Sequence, residues 1–289
     1  MIEQLYIAAN VRINRNGVFY NGELLPITPQ TDLSKFAKDI YTFLQLRYPK
    51  FYKMDLMSKY GFLASELLLQ NEQIDENTSL IFANKTSSLH TDKQYQESIQ
   101  NQHQFHPSPS IFVYTLPNIV LGEICIRHQI KGENVFFILD TFNSKTYFDS
   151  VYSQFNLNKS KSFIISWIEI EDPGFNVFFA YVKNQIQPKN ITFSIDNLNT
   201  LNRPFNMEAT INSLKNDLIK HLNLEDISPD DIDADAPLFG DGLGLDSIDA
   251  LEIIVLLDRQ YGIKVKDQAS GQKAMQSIRT LAQFIEDNK

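Results

Sequence analysis

"GLGLDSIDALE", Gly242–Glu252, places one serine between two aspartates, where a glycine-rich run gives way to a helical apolar pattern. Asp246 is positioned to be the N-cap of a helix, with Ser247 in its first turn and Asp249 near the third helical position. Carboxylates at these positions oppose the positive end of the helix dipole. On this pattern alone, Ser247 belongs either to an ordinary capped helix or to a chemical site.

Ser247 does not fit the nucleophile of a hydrolase. The Gly-x-Ser-x-Gly elbow is absent, because Leu245 and Asp249 occupy the two glycine positions. His221 is the one histidine in this part of the chain, and it has no patterned partner. General-base activation of the serine therefore has no support in the sequence.

The residues before the serine imitate two kinds of ligand site. Gly240, Gly242 and Gly244 resemble a phosphate cradle, but no strand precedes them and no lysine follows. The run DIDAD, 231–235, begins like a calcium-binding loop, yet Ala236 stands where such a loop needs glycine. We interpret these residues as turn glycines and solvated loop acids.

From Met207 onward the apolar spacing is helical, and three principal helices predict a small bundle. About two dozen residues separate the first two helices, and so long a loop is typical of a functional segment. The apolar positions of the helices are Ile211, Leu214, Leu218 and Leu222, then Ile248, Leu251 and Val255, then Ile278, Leu281 and Ile285. The residues expected to pin the loop are Ile227, Ile232, Leu238, Phe239, Leu243 and Leu245.

The acidity of the chain is concentrated in the same region. Residues 207–289 hold 8 Lys and Arg against 16 Asp and Glu, whereas the whole chain holds 26 against 35. An acidic domain repels nucleic acid and anionic membranes and attracts basic protein surfaces. We therefore expect protein partners and no nucleic acid.

Nothing in the sequence indicates export or membrane insertion. The first residues lack a basic region, and the most apolar run, 111–121, is broken by Pro117 and too short for a membrane span. Cys125 is the only cysteine, so neither an intrachain disulfide nor a cysteine-based zinc site can form. A cytoplasmic protein without a membrane span is expected.

The N-terminal part alternates strand and helix patterns, which predicts an α/β layered domain. Strands are predicted at 4–13, 78–84 and 134–139 and as a hairpin with a Pro-Gly turn within 161–184, and helices at 32–48, 55–69 and 116–130. The stretch NVFFIL, 134–139, has the continuous apolar pattern of a central strand. An Asn-rich segment with one weak strand pattern follows, so the predicted domains are 1–188 and 207–289, with a linker at 189–206.

The C-terminal part closely resembles acyl carrier proteins. The resemblance rests on APLFGDGLGLDSIDALEIIVLLDRQYGIKV, residues 236–265, and extends over residues 207–289. It implies an all-α four-helix bundle in which a phosphopantetheinyl transferase attaches phosphopantetheine to Ser247. Leu245 and Asp246 are then the residues that flank the attachment point.

The same resemblance implies that acidic residues near the serine bind partner enzymes. Asp249 and Glu252, three residues apart, share one helix face beside Ser247, and Asp241 precedes them in the loop. Carboxylates there would meet lysines and arginines of ketosynthases and other acyl-processing enzymes. An ordinary solvated helix face is the alternative interpretation.

The N-terminal part resembles the N-terminal half of ketosynthases, loosely over residues 1–183. The stretch PSIFVYTLPNIVLGEICIRHQIKGENVFFI, residues 109–138, leads a helix through a Gly-x-Asn turn to a strand, and SLIFANKTSSLHTD, residues 79–92, resembles the preceding strand and loop. The resemblance implies a thiolase-like α/β half-domain with a mixed sheet and helices. A solitary half would need a partner to cover its apolar surface, as a homodimer or a heterodimer.

The departures from ketosynthases concern catalysis. Thr141 or a neighbour falls where the family has its nucleophilic cysteine, and the family's catalytic histidines belong to a half that this chain lacks. Cys125 lies in a helical apolar pattern, where a buried thiol in the core is the simpler interpretation. His128 lies one turn later in the same predicted helix, and it fits a position on the helix surface. Without a thiolate and imidazoles, condensation has neither nucleophile nor proton transfer.

Three functional hypotheses follow. The first is an acyl carrier with phosphopantetheine on Ser247 and a non-catalytic ketosynthase-like domain for assembly, in a fatty-acid-like or aryl-polyene and polyketide-like pathway. The second is an active condensing or acyl-transferring enzyme that a separate subunit completes. The third is an unmodified carrier that serves only as an interaction module, which the intact GLGLDSIDAL disfavours.

Overall fold

The computed structural model describes residues 4–100, 107–171, 174–185, 190–202, 207–224, 227–240, 242–265 and 268–288. The chain divides into two compact units, Met1–Arg203 and Pro204–Lys289, which are considered separately here. In the described ranges, no helix combines the length and the apolar composition needed to cross a membrane.

The first unit is built on a mixed β-sheet. Within the described residues its strands are β1 (Tyr6–Asn14), β2 (Gly17–Tyr20), β3 (Glu23–Leu24), β4 (Ser79–Asn84), β5 (Asn134–Ile138), β6 (Ser162–Glu169), β7 (Asn176–Lys183) and β8 (Ile191–Thr192). Their order in the sheet is β3-β2-β1-β7-β6-β4-β5, with β8 paired to β1. The strands β6, β4 and β5 run parallel, whereas β7 is antiparallel to both β6 and β1.

Helices cover both faces of this sheet. They are α1 (Leu33–Phe43), α2 (Leu56–Leu69), α3 (Leu89–Gln100), α4 (Pro109–Val113), α5 (Ile119–His128), α6 (Ser144–Asn156) and α7 (Ile195–Leu201). One core contains Phe36, Leu63 and Ile124 from α1, α2 and α5. The opposite core contains Tyr147 from α6 and Leu198 from α7. The predicted α/β fold class with a mixed sheet and helices is therefore confirmed.

Two details of the first unit differ from the sequence predictions. β5, predicted as a central strand, lies at the end of the sheet beyond β4. Its apolar pattern indicated strand formation but carried no information about sheet order. The predicted Pro-Gly turn between β6 and β7 lies partly outside the described residues, because Pro173 is not among them.

The interval predicted as a linker is folded over residues 190–202. β8 pairs with β1, and Ser194 caps α7 by accepting a hydrogen bond from the Asn197 amide at 3.2 Å. Phe193 and Leu198 are buried in the core of the first unit. The Asn-rich composition of the segment had suggested a linker rather than a folded segment. The two units divide after Arg203.

The second unit is helical within its described residues, as predicted. Its helices are α8 (Met207–His221), α9 (Ser247–Tyr261), α10 (Gln268–Ala274) and α11 (Ile278–Asn288), and a short 3-10 turn, Pro229–Asp231, lies in the long loop. The core side chains include Ile211, Leu214, Leu218, Leu256, Leu257, Leu281 and Ile285.

Candidate functional site

The long loop before α9 is anchored to the bundle close to the serine. Leu238 and Leu245 are buried, and the Leu245 amide donates to the Leu238 carbonyl at 3.2 Å. The Leu243 amide donates to the Pro237 carbonyl at the same distance of 3.2 Å. Leu245, predicted to flank the cofactor, is therefore a buried anchor that fixes where α9 begins.

Glycines are required in this loop for two different reasons. Gly240 and Gly244 each have a φ of +71°, in the left-handed region that side chains disfavour. A Cβ at Gly242 would lie 1.7 Å from the Pro237 carbonyl oxygen, so no side chain fits there. The glycines thus shape the turn itself. Asp241, the predicted loop acid, lies outside the described residues.

Ser247 is the first residue of α9, and Asp246 is its N-cap. Asp246 Oδ1 accepts hydrogen bonds from the amides of Ile248 at 2.6 Å and Asp249 at 3.1 Å. Asp249 Oδ2 in turn accepts from the Asp246 amide at 2.7 Å, which completes a capping box. The Ser247 side chain is exposed, and no group in the described part of the chain hydrogen-bonds its hydroxyl.

Asp246→Ala should accelerate hydrogen exchange in the first turn of α9 about fivefold, because loss of an N-cap costs about 1 kcal/mol. The measurement is hydrogen–deuterium exchange of the full chain, read on the peptide that contains Ile248 and Asp249. Asp258→Ala, an exposed substitution near the other end of α9, is the matched control and should leave this peptide unchanged. Equal exchange in the two variants would contradict the capping role.

α9 presents a second apolar face to solvent beside the serine. Ile248 is 66% exposed, Leu251 62% and Val255 43%. The helical spacing of these three residues predicted α9 but not which face is buried, because α9 is apolar on both faces and helical spacing fits either one. The residues of α9 that do enter the core are Ile253, Leu256 and Leu257.

The two predicted partner acids of α9 differ in their surroundings. Glu252 is exposed, whereas Asp249 is half-buried and commits one carboxylate oxygen to the capping box. Glu252 therefore presents its carboxylate to solvent beside Leu251, whereas the Asp249 carboxylate also stabilises the start of α9. The acids of DIDAD also make local contacts, because Asp231 accepts from Ser228 and Asp235 pairs with Arg279 at 2.6 and 2.9 Å.

A protein-family model described as the phosphopantetheine attachment site matches residues 222–285. Residues 222–285 form a phosphopantetheine-attachment domain. The match includes Ser247 and most of the second unit, and a domain of this kind is a carrier rather than an enzyme. No curated protein matches the chain.

Several solved structures show limited likeness to the chain. A structure of a ketosynthase with its chain length factor from Xenorhabdus doucetiae gives a TM-score of 0.43 and 14% identity, covering 62% of this chain and 79% of that one. The ishigamide ketosynthase/chain length factor gives a TM-score of 0.49 and 12% identity, covering 98% of this chain and 91% of that one. A structure of a type II polyketide acyl-carrier protein in complex with its ketosynthase gives a TM-score of 0.42 and 9% identity, covering 76% of each chain.

The start of α9 suits the cofactor of an attachment domain. Phosphopantetheine is held covalently, and when bound it supplies a terminal thiol that carries acyl groups as thioesters. The exposed Ser247 hydroxyl provides the oxygen for such a bond. Asp246 Oδ1 already accepts hydrogen bonds from the amides of Ile248 and Asp249, so in this structure these two amides stabilise the helix start.

In the first unit, the position predicted for a ketosynthase nucleophile is an exposed loop. Thr141 lies between β5 and α6, two residues before Asn143, which caps α6 by accepting from the Thr146 amide at 3.1 Å. A threonine hydroxyl needs an adjacent base to become a nucleophile. The local geometry is that of a helix cap.

Cys125 and His128 make separate contacts. The half-buried Cys125 thiol donates to Asn134 Oδ1 at 3.5 Å, and burial raises the pKa of this thiol, which disfavours the reactive thiolate. His128 is largely buried rather than on the helix surface, and burial lowers its pKa. Its Nε2 lies 3.2 Å from Glu66 Oε1 and 3.3 Å from Ser65 Oγ.

Ser65, His128 and Glu66 do not form a catalytic triad. In a triad the acid contacts the ring nitrogen that the serine does not use, whereas here both oxygens lie near the same Nε2. Ser65 is fully buried and its hydroxyl donates to the Phe62 carbonyl at 2.8 Å. The cluster therefore ties α2 to α5.

The role of Glu169 was not predicted from the sequence. This buried carboxylate at the end of β6 accepts from the amides of Lys85 at 3.0 Å and Thr86 at 3.2 Å, and from the Thr86 hydroxyl at 2.5 Å. It also accepts from the Ile170 amide at 3.1 Å. Glu169 thus anchors the loop after β4. An acidic residue ending a buried strand was the only available signal.

Proposed function

We propose that the chain carries acyl groups as thioesters on a phosphopantetheine arm attached to Ser247, in a fatty-acid-like or polyketide-like pathway. The observation that carries the proposal is the exposed Ser247 hydroxyl at the capped start of α9, inside the matched attachment domain. A phosphopantetheinyl transferase is the enzyme that would load it. We place this activity in the cytoplasm.

The partner surface in this proposal is the outer face of α9. Ile248 and Leu251 offer apolar area next to Ser247, and Glu252 adds an exposed carboxylate. Apolar contact stabilises a complex, while acidic charge on the domain speeds encounter with a basic partner. Ketosynthases and other acyl-processing enzymes with a basic, partly apolar docking surface fit this face.

For the first unit we propose an assembly role without condensation chemistry. Support comes from the exposed cap loop at Thr141 and from the raised pKa of the Cys125 thiol. The resemblance to ketosynthases then concerns binding to acyl-processing enzymes rather than catalysis. Fusion keeps the carrier at high effective concentration near any enzyme that the first unit binds.

The direct test is the intact mass of the full chain after incubation with a phosphopantetheinyl transferase and coenzyme A. The chain should gain the mass of one phosphopantetheinyl group, and peptide mapping should place that group on Ser247. No gain, or a gain on another residue, would overturn the proposed carrier function.

The enzymatic alternative predicts a covalent acyl group on the first unit. We expect that acyl-coenzyme A leaves the peptides containing Thr141 and Cys125 unmodified, because neither side chain has an activating base in the described contacts. Peptide mass mapping after incubation measures this. Acylation that disappears in Thr141→Ala or in Cys125→Ala would favour the condensing or transferring enzyme instead.

A further inference from the structure

The first unit has a groove of about 460 Å³ along α6. Phe148, Tyr152 and Asn156 form its α6 wall, and because they recur every four residues they lie on one face of the helix. The opposite wall is the short segment 192–194, which joins β8 to α7. Small-molecule sites in proteins have volumes of about 300–1,000 Å³, so the groove is large enough for a ligand.

Three aromatic rings form the apolar surface of the groove. Phe193 is buried at its base, whereas Phe148 and Tyr152 are half-buried and remain accessible. The Phe148 and Phe193 rings are nearly parallel, with an interplanar angle of 14° and centroids 5.7 Å apart. The Tyr152 centroid lies 4.6 Å from that of Phe148 and 6.0 Å from that of Phe193. Because aromatic faces favour offset stacking with a further flat π-system, the groove suits a planar ligand.

The polar groups of the groove carry no charge. Among the described residues that line it, the polar side chains are those of Gln4, Tyr152, Asn156, Thr192 and Ser194. Ser194 caps α7, but no group in the described part of the chain hydrogen-bonds the Tyr152 hydroxyl or the Asn156 side-chain amide. Both groups donate to a carbonyl, whereas a lining without charges leaves the desolvation of an ionic ligand uncompensated. The groove therefore suits an uncharged carbonyl compound.

We propose that this groove binds a flat, uncharged carbonyl compound, in which an aromatic ring or a conjugated chain ends in an amide or ester group. The flat part stacks on the rings of Phe148 and Tyr152, and the carbonyl oxygen accepts from the Tyr152 hydroxyl and the Asn156 amide. The site goes beyond the proposed carrier function, because it belongs to the first unit and needs no phosphopantetheine.

The groove is separate from the loop that aligns with the ketosynthase nucleophile. Thr141 precedes α6, which begins at Ser144. Tyr152 lies eight residues beyond Ser144, about 12 Å along the helix axis. The groove residues therefore come from the middle and the far end of α6, and a ligand held there needs no nucleophile at Thr141.

The first experiment compares three probes by isothermal titration calorimetry on the full chain. trans-Cinnamamide is flat and uncharged, and it should bind to a single site. 3-Phenylpropanamide should bind about fivefold more weakly, because its saturated linker cannot lie flat against the rings. trans-Cinnamate should bind about tenfold more weakly, because its carboxylate loses water without meeting a charge.

The second experiment repeats the trans-cinnamamide titration with variants of α6. Phe148→Ala should weaken binding about tenfold, because it removes an accessible ring from the groove. Ser153→Ala, an exposed position of α6 outside the groove, is the matched control and should bind like the wild type. If Phe148→Ala fails to fold, Tyr152→Phe replaces it, and the loss of one hydrogen bond should weaken binding about fivefold.

Hydrogen–deuterium exchange of the wild type locates the probe. trans-Cinnamamide should slow exchange in the peptides that cover residues 147–157 and 190–195 and leave the peptides of the second unit unchanged. Protection at another place would overturn the proposal. So would equal affinities for the three probes, or equal affinities of Phe148→Ala and Ser153→Ala for trans-cinnamamide.

A wild type that binds no trans-cinnamamide up to the solubility limit of the probe would also overturn the proposal, including the case in which protein fills the groove. Phosphopantetheine loading of Ser247 is measured separately on the same samples. A chain that loads normally but binds no probe refutes the groove site alone, whereas a chain that binds the probe but does not load refutes the carrier function alone.

Discussion

Ser247→Ala should abolish phosphopantetheine loading completely. The modification joins the phosphate to a hydroxyl oxygen, and alanine removes the oxygen while keeping the helical backbone. No neighbouring group in the capping box can substitute, because Asp246 and Asp249 offer only carboxylates that already accept helix amides. The measurement is intact mass after incubation with the transferase and coenzyme A, compared with the wild type.

The matched control is Ser213→Ala, which removes another exposed helical serine of the second unit. It should load like the wild type. Hydrogen exchange of α9 should also be unchanged in Ser247→Ala, since the cap belongs to Asp246. Loss of loading together with loss of protection in α9 would point to a folding defect, and normal loading of Ser247→Ala would refute the proposed site.

Gly242→Ala should destabilise the second unit by about 3 kcal/mol, near the upper end of overpacking effects. The new Cβ would lie 1.7 Å from the Pro237 carbonyl oxygen, which is backbone and cannot rotate away. The loop must therefore move, and the Leu243–Pro237 hydrogen bond at 3.2 Å would break. For a domain of this size we expect the melting temperature to fall by roughly 12–24 °C.

Calorimetry of the full chain measures this effect on the transition of the second unit. Gly240→Ala is the matched control, because its φ is +71° but no atom lies within 4 Å of the new Cβ. It should cost only about 1 kcal/mol of backbone strain. Equal melting temperatures for the two variants would contradict the close approach at Gly242.

Local patterns in the sequence were sufficient for most secondary structure. The apolar runs of β4 and β6 and the spacing in α1, α2 and α5 predicted these elements because each pattern repeats with the period of its own backbone. The cap at Asp246 was also predictable, because its hydrogen bonds involve only the amides of the residues two and three positions later in the chain.

Sheet order, helix faces and chain folding after β7 were not predictable in this way. NVFFI indicates a strand, but the strand that pairs with it in the sheet comes from a distant part of the chain, and a local pattern does not identify that strand. Likewise α9 has two apolar faces, and only contact with the other helices decides that Leu257 is buried and Leu251 exposed. Phe193 and Leu198 lie in an Asn-rich segment whose apolar residues, Ile191, Phe193, Ile195, Leu198 and Leu201, span too few positions to establish the period of one strand or one helix.

The sequence by itself determined the existence of a capped helix that begins at Ser247, because the serine, its cap and the acidic partner of the cap lie within four consecutive residues. Only the tertiary structure decided what surrounds that serine. The anchoring of Leu245, the contact that excludes a side chain at Gly242 and the outward turn of Ile248 all depend on residues brought together by packing. Packing likewise left β5 at the edge of its sheet, since strand order is set by contacts between distant segments of the chain.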